Sequence, residues 1–266
     1  MIGITSVNGF HLPFEERFSR IKQAGFGSVM LWFGGEDGIP RLRKAEIVRD
    51  IGLYIENVHS STDGINDLWL DGDGGEHKLD DLSSQLEDCA VCGVSTMIVH
   101  LSKGKNPPPV SSIGFGRIGK LIERAEAAKV RLAFENMRFS EYTVKTLDMF
   151  SSPYVGLCWD AGHENCWTGD VDWLKRYSSR VFAIHLHDNN GDGDSHMLPF
   201  DGTVFWDMKL TDIAASSYSG NVTVESEFES SGLYDKDGFD AYLTKAYERG
   251  LMIEHMLDIK RSEIHK

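Results

Sequence analysis

The stretch Val181-Phe182-Ala183-Ile184-His185-Leu186-His187-Asp188-Asn189-Asn190-Gly191-Asp192-Gly193-Asp194-Ser195-His196 joins a short apolar run to a loop crowded with imidazole, carboxylate and amide groups. So short an apolar run fits a strand covered on both faces. The loop admits three readings. As a calcium loop, Asp188 to Asp194 has oxygen donors at alternate positions and Gly193 at the sixth, but Pro199 stands at the twelfth, where a bidentate Glu is required. As a solvated turn it needs no ligand, because Asp, Asn and Gly are turn residues in their own right. As a ligand segment it would combine with residues elsewhere, since imidazole and carboxylate together suit transition metals such as zinc or manganese.

Outward from this run the same alternation of strand and helix fills the chain. Strands are expected at Gly3–Val7, Ser28–Phe33, Tyr54–His59, Thr96–Leu101, Arg131–Glu135, Val155–Asp160, Val181–His187 and Asn221–Ser226. Helical periodicity marks Phe14–Ala24, Arg41–Ile51, Leu79–Cys92, Ile113–Ala128, Glu141–Phe150, Val171–Tyr177, Phe205–Ala215 and Gly238–His255. Eight βα units with nearly continuous apolar strands predict an α/β fold, a single-domain (β/α)8 TIM barrel over residues 1–266. The long irregular stretches 60–78, 102–112 and 188–203 all follow strands, which puts them on the C-terminal face where such barrels build their sites.

With 266 residues and 41% apolar content the chain can bury a full core. A formal charge of −14 disfavours nucleic acid and anionic membranes as partners. Residues 1–7 lack the pattern of a signal peptide, no apolar run approaches a membrane span, and the four cysteines form no disulfide framework, so a cytoplasmic protein is expected. Cys89 and Cys92 have redox or zinc spacing, but lie in a helical pattern with no second pair and read as structural. Oligomeric state is left open, with a homo-oligomer allowed.

What ends each strand is decisive. His59 closes the third, His100 the fourth, Glu135 the fifth and Asp160 the sixth, with His163 three residues on. His185 and His187 close the seventh, Asp194 and His196 follow in its loop, and Glu225 closes the eighth. Core packing alone does not produce six such strand ends, because a buried ionised carboxylate costs several kcal/mol without a partner. A shared metal supplies one. The competing motif Gly114-Phe115-Gly116-Arg117-Ile118-Gly119 spells a dinucleotide fingerprint, but Pro107-Pro108-Pro109 separates it from the preceding strand, so its glycines are expected to allow close approach of neighbouring backbone.

Phe134-Glu135-Asn136, Trp159-Asp160-Ala161-Gly162-His163, His185-Leu186-His187-Asp188 and Asp194-Ser195-His196 make the chain resemble the xylose-isomerase-like barrel superfamily over nearly its whole length. That group holds sugar and sugar-phosphate isomerases and epimerases together with apurinic endonucleases of the endonuclease IV type. The resemblance implies a divalent metal, zinc or manganese, held by Glu135, Asp160, Glu225 and either His185 or His187. It also implies further zinc ligands, as in the endonuclease branch, at His59, His100, His163, Asp194 and His196, for one to three ions per chain.

The leading expectation is an isomerase or epimerase acting on a carbohydrate through an enediolate, with Glu135 and Glu225 removing and returning the proton. Arg138 is a candidate for a substrate phosphate, and Trp159, beside Asp160, for a sugar's C–H surface; Trp32, Trp167 and Trp206 read as packing. The alternatives are zinc-dependent phosphoester hydrolysis at abasic DNA and a metal-binding barrel without activity. Basic loops able to track a duplex are absent from the sequence.

Overall fold

The computed structural model describes residues 1–264. Its strands are β1 (Ile2–Thr5), β2 (Ser28–Trp32), β3 (Tyr54–His59), β4 (Thr96–Val99), β5 (Arg131–Glu135), β6 (Val155–Asp160), β7 (Val181–His185) and β8 (Val222–Val224). The helices are α1 (Phe14–Gln23), α2 (Arg41–Asp50), α3 (Asp73–Val91), α4 (Ser112–Ala128), α5 (Ser140–Met149), α6 (Ala161–His163), α7 (Trp173–Arg176), α8 (Trp206–Ala214) and α9 (Phe239–Ile264). Neighbouring strands pair in the order β7-β6-β5-β4-β3-β2-β1-β8, and the named ladders are parallel. The seam between β7 and β8 is closed by a bridge just beyond β7, where Leu186 N–H donates to Thr223 O and Glu225 N–H donates to Leu186 O. The result is the expected single-domain (β/α)8 barrel.

Two cores follow from the period-two alternation of strand side chains. Leu132 and Phe134 of β5 face the helices, whereas Ala133 faces inward with Met30, Ile98, Cys158 and Ala183. The same parity points Glu135, Asp160 and His185 inward, one pleat above these mostly small residues. Among the described residues no helix is long and apolar enough to cross a membrane.

Three differences from the periodicity have local causes. Helix α3 starts at Asp73, because Gly72 turns the chain at φ +105° and acidic Asp73 and Glu76 suit the first turn. Gly74 and Gly75 disguised that turn as loop, but a Cβ on Gly75 would lie 2.0 Å from Arg117 Nη1. Between α6 and α7 the chain forms a π turn, Glu164–Thr168. The glycine motif opens α4 behind the Ser111 cap, and the neighbour its first glycine admits is an indole rather than backbone: a Cβ on Gly114 would sit 2.2 Å from Trp69 Cε3.

Gly114→Ala is therefore expected to destabilise the protein by about 1–3 kcal/mol through overpacking. Gly116→Ala in the same helix, where a Cβ meets nothing within 4 Å, should be neutral or stabilising. Urea unfolding of the two variants checks the contrast.

Candidate metal centre

The inward parity brings the strand-end residues together on the C-terminal face. Asn136 fixes the junction of β5 and β6: its side-chain amide donates to Asp160 O at 2.9 Å and its Oδ1 accepts from Asp160 N–H at 2.7 Å. Asp160 in turn accepts from His163 N–H, capping the short turn that carries His163. Gly162 leaves room for His187, whose ring would lie 2.0 Å from a Cβ there. His196 adopts φ +44°, a left-handed conformation that a non-glycine residue holds only when its surroundings fix it.

Donor atoms converge in four groups, each spanning no more than 4.8 Å: Glu135, Asp160, His185 and Glu225; Glu135, Cys158 and His185; His59, His100 and Glu135; and, sharing no residue with these, His163, His187, Asp194 and His196. The sequence left His185 and His187 equivalent, but here His185 joins the carboxylate group and His187 the other. Glu135 is the hub. Its Oε2 lies 3.3 Å from His59 Nε2 and 3.1 Å from His100 Nε2, and its Oε1 lies 3.1 Å from His163 Nδ1 and 3.5 Å from His185 Nδ1. Glu225 Oε2 stands 3.1 Å from His185 Nδ1, and Asp194 Oδ2 lies 3.2 and 3.3 Å from Nε2 of His163 and His196. Cys158 also approaches Glu135 and His185 from the barrel interior.

The ring tautomers favour cations. His59 Nδ1 lies 3.0 Å from Ser60 O and His196 Nδ1 lies 3.1 Å from Glu225 O, so protons on those nitrogens leave each Nε2 lone pair facing the cluster. Nε2 of His59 then meets Nε2 of His100 at 3.1 Å, beside a carboxylate oxygen. Both nitrogens of His185, Nδ1 of His163 and of His187, Oδ1 of Asp194 and Oε2 of Glu225 are buried without a well-aligned hydrogen bond, His185 Nδ1 and Glu225 Oε2 standing 3.1 Å apart. These donors fit divalent ions.

Burial opposes ionisation of Glu135, but the surrounding imidazoles outweigh it and hold the carboxyl well below its usual range. Burial also opposes protonation of His163, which Asp160 and Asp194 nevertheless lift well above normal, as Asp194 does His196. For His100 burial wins, lowering it to about 4. Burial raises Glu225 as well, with help from Glu135 and Asp160.

A cavity of about 820 Å³ opens over the cluster, lined by His59, His100, Glu135, His163, Asp194, His196 and Glu225 on one side and by Phe10, Leu12, Phe14, Trp32 and Met137 on the other. Trp159 does not reach it. It is fully buried on the helix-facing side of β6, its Nε1 donating to Glu164. The aromatic groups beside the cluster are instead Trp32, 5.1 Å from the His59 ring, and Trp167, stacked on His163 at 4.7 Å. Strand parity was the available signal for Trp32, two residues beyond inward Met30. Arg138 lies outside the main cavity, over Trp167. Asp188 is structural: it is fully buried and accepts from the N–H groups of Asn189, Phe200 and Val204 and from Trp206 Nε1 at 2.9–3.0 Å.

Comparison with known proteins places these features in context. The sequence profile described as xylose isomerase-like TIM barrel matches residues 18–246. The uncharacterised protein y4fM of Sinorhizobium fredii is 24% identical, over 95% of each chain. Among solved structures, a D-tagatose 3-epimerase-like protein superposes with a TM-score of 0.75 at 18% identity, covering 99% of both chains. An L-ribulose 3-epimerase gives 0.76 at 16%, covering 99% of this chain and 96% of its own. The IolI protein with a binding zinc atom gives 0.72 at 15%, covering 95% and 97%. At such identities the structural likeness speaks for the barrel alone.

The pinned loop yields a test. Asp188→Ala strands four donors, three of them buried, and is expected to cost about 3 kcal/mol or more, whereas Asp192→Ala, exposed on the same loop, should stay within about 0.5 kcal/mol. Thermal unfolding distinguishes them; equal effects would contradict the structural assignment of Asp188.

Proposed function

The chain belongs to the xylose isomerase-like TIM-barrel family, and from that premise we propose a metal-dependent isomerase or epimerase acting on a sugar or sugar derivative. The observation that carries this reading is the convergence of Glu135, Asp160, His185 and Glu225 within 4.8 Å, with Glu135 and Glu225 lining an open cavity of mixed polar and apolar surface. A barrel shared with 3-epimerases and with zinc-binding IolI supports it.

These four residues would hold one divalent ion, zinc or manganese. When bound, it supplies Lewis acidity toward adjacent substrate oxygens and so favours the enediolate. The protein's own groups handle the proton. Isomerisation and epimerisation each need a group that removes a proton beside a carbonyl and a group that returns one. Glu225 is fitted to removal, because it lines the cavity and burial raises its proton affinity despite the imidazole of His185 3.1 Å from its Oε2. Glu135, held ionised by imidazoles, would deliver the returning proton from charged His163, whose Nδ1 lies 3.1 Å from its Oε1, while Glu225 releases the abstracted proton to solvent after turnover. Trp32 and Met137 bound the cavity with apolar surface suited to a sugar's C–H face and to excluding water.

A second reading rests on the two additional donor groups, around His59 and His100 and around His163, His187, Asp194 and His196. With ions there as well, the site would suit phosphoester hydrolysis. The charge of −14 weighs against a nucleic-acid substrate.

The test uses metal-supplemented protein with a panel of ketoses and aldoses in deuterium oxide, following incorporation beside the carbonyl by proton NMR. Glu225→Gln is expected to lower turnover by roughly 10²–10⁴-fold with the barrel's circular dichroism unchanged. Absence of exchange with every sugar, together with nicking of abasic DNA, would move the assignment to the hydrolase.

A further inference from the structure

A second hollow of about 760 Å³ lies beside the main cavity, between the β4–α4 loop and the start of α5. A smaller space of about 220 Å³ connects the two. Lys103 and Met137 line it together with the main cavity, and Lys105, Arg138 and Trp167 line it together with the second hollow. The three spaces thus lie in series, separated only by shared side chains, from the strand-end cluster toward the rim.

Its charge departs from that of the molecule. The chain as a whole carries −14, yet Arg138 and Lys105 face this channel with no carboxylate within ion-pair distance among the described residues. Of the two acids at the second hollow, Glu141 is paired with Lys145 at 2.5 Å, which leaves Asp170 against two uncommitted cations. Arg138 is also held in place. Its guanidinium carbon lies 4.3 Å over the Trp167 ring, and the same indole stacks on His163 at 4.7 Å and 16°. A planar guanidinium fixed by stacking, with its N–H groups unengaged, presents a fork matched to oxyanions. An indole touching both Arg138 and His163 ties the position of that fork to the cluster.

We infer that this channel binds a phosphate monoester at the far end of the substrate, through Arg138 and Lys105, while the carbonyl end occupies the cavity over Glu135 and Glu225. The assignment of the near end rests on the isomerase reading; the phosphate subsite does not. A nucleic-acid phosphodiester is the competing source of the same oxyanion, and the experiment separates the two.

In the first arm, metal-loaded protein is titrated with inorganic phosphate by calorimetry. Arg138→Gln is expected to weaken binding at least tenfold and Lys105→Gln severalfold, whereas Arg43→Gln, on the exposed face of α2, should leave it within twofold. Binding unchanged in Arg138→Gln, or weakened as much in Arg43→Gln, would overturn the subsite. In the second arm, ketoses are compared free and terminally phosphorylated. Arg138→Gln should raise KM for the phosphorylated form at least tenfold with kcat within threefold, leave the free sugar unaffected, and be partly rescued by Arg138→Lys. Preference of the parent protein for the free sugar, or for an abasic oligonucleotide whose binding depends on Arg138, would overturn the monoester assignment. Phosphate binding that tracks Arg138 without turnover of any sugar would sustain the subsite and count against the isomerase.

Discussion

Charge compensation in a buried cluster is the constraint on which the rest of this structure depends. Four buried or nearly buried carboxylates, Glu135, Asp160, Asp194 and Glu225, share one strand-end cluster with six imidazoles. Ionised carboxylates cannot be placed there unless positive charge accompanies them. Protonated imidazoles supply it in the protein alone, which is why His163, His185 and His196 are all driven toward the charged form despite burial. Divalent ions supply the same charge with fewer unpartnered donors, and the orphaned atoms of His185, His187 and Glu225 mark where they fit.

The surrounding architecture holds that cluster in place. Asn136 ties β5 to β6 at the level of Glu135 and Asp160, the bridge at Leu186 closes the barrel between His185 and Glu225, and Asp188 anchors the loop that presents Asp194 and His196. Each of these contacts spans segments distant in sequence. The small inward side chains Ala133, Cys158 and Ala183 form the floor, so the ligand layer rests on packed barrel interior and not on solvent.

Much of this was legible in the chain. Strand runs end in ionisable residues because parity and parallel register stack those ends at one level; that pattern grouped Glu135, Asp160, Glu225 and the pair His185 and His187 with His59 and His100, while the metal-ligand set came from the family resemblance. Trp159 shows where proximity in sequence misled: it adjoins Asp160, but consecutive strand residues face opposite sides, so it belongs to the helix layer. Trp32, which parity does place inward, read only as packing. The choice between His185 and His187 was left open, because both share a side of the strand and only the end of β7 at His185 separates them. Asp188 looked like loop chemistry; its burial depends on backbone donors from residues 200 and 204, which no local pattern reveals. The contact between Gly114 and Trp69 depends likewise on distant residues, as does the stacking of Arg138, Trp167 and His163.

The most direct measurement is an anomalous difference map from crystals of the protein equilibrated with manganese or zinc. The account predicts a peak with oxygen and nitrogen ligands at about 2.0–2.2 Å from Glu135, Asp160, His185 and Glu225. Saturating metal with no density among those four residues, or carboxylates moved apart beyond the reach of one ion, would contradict it.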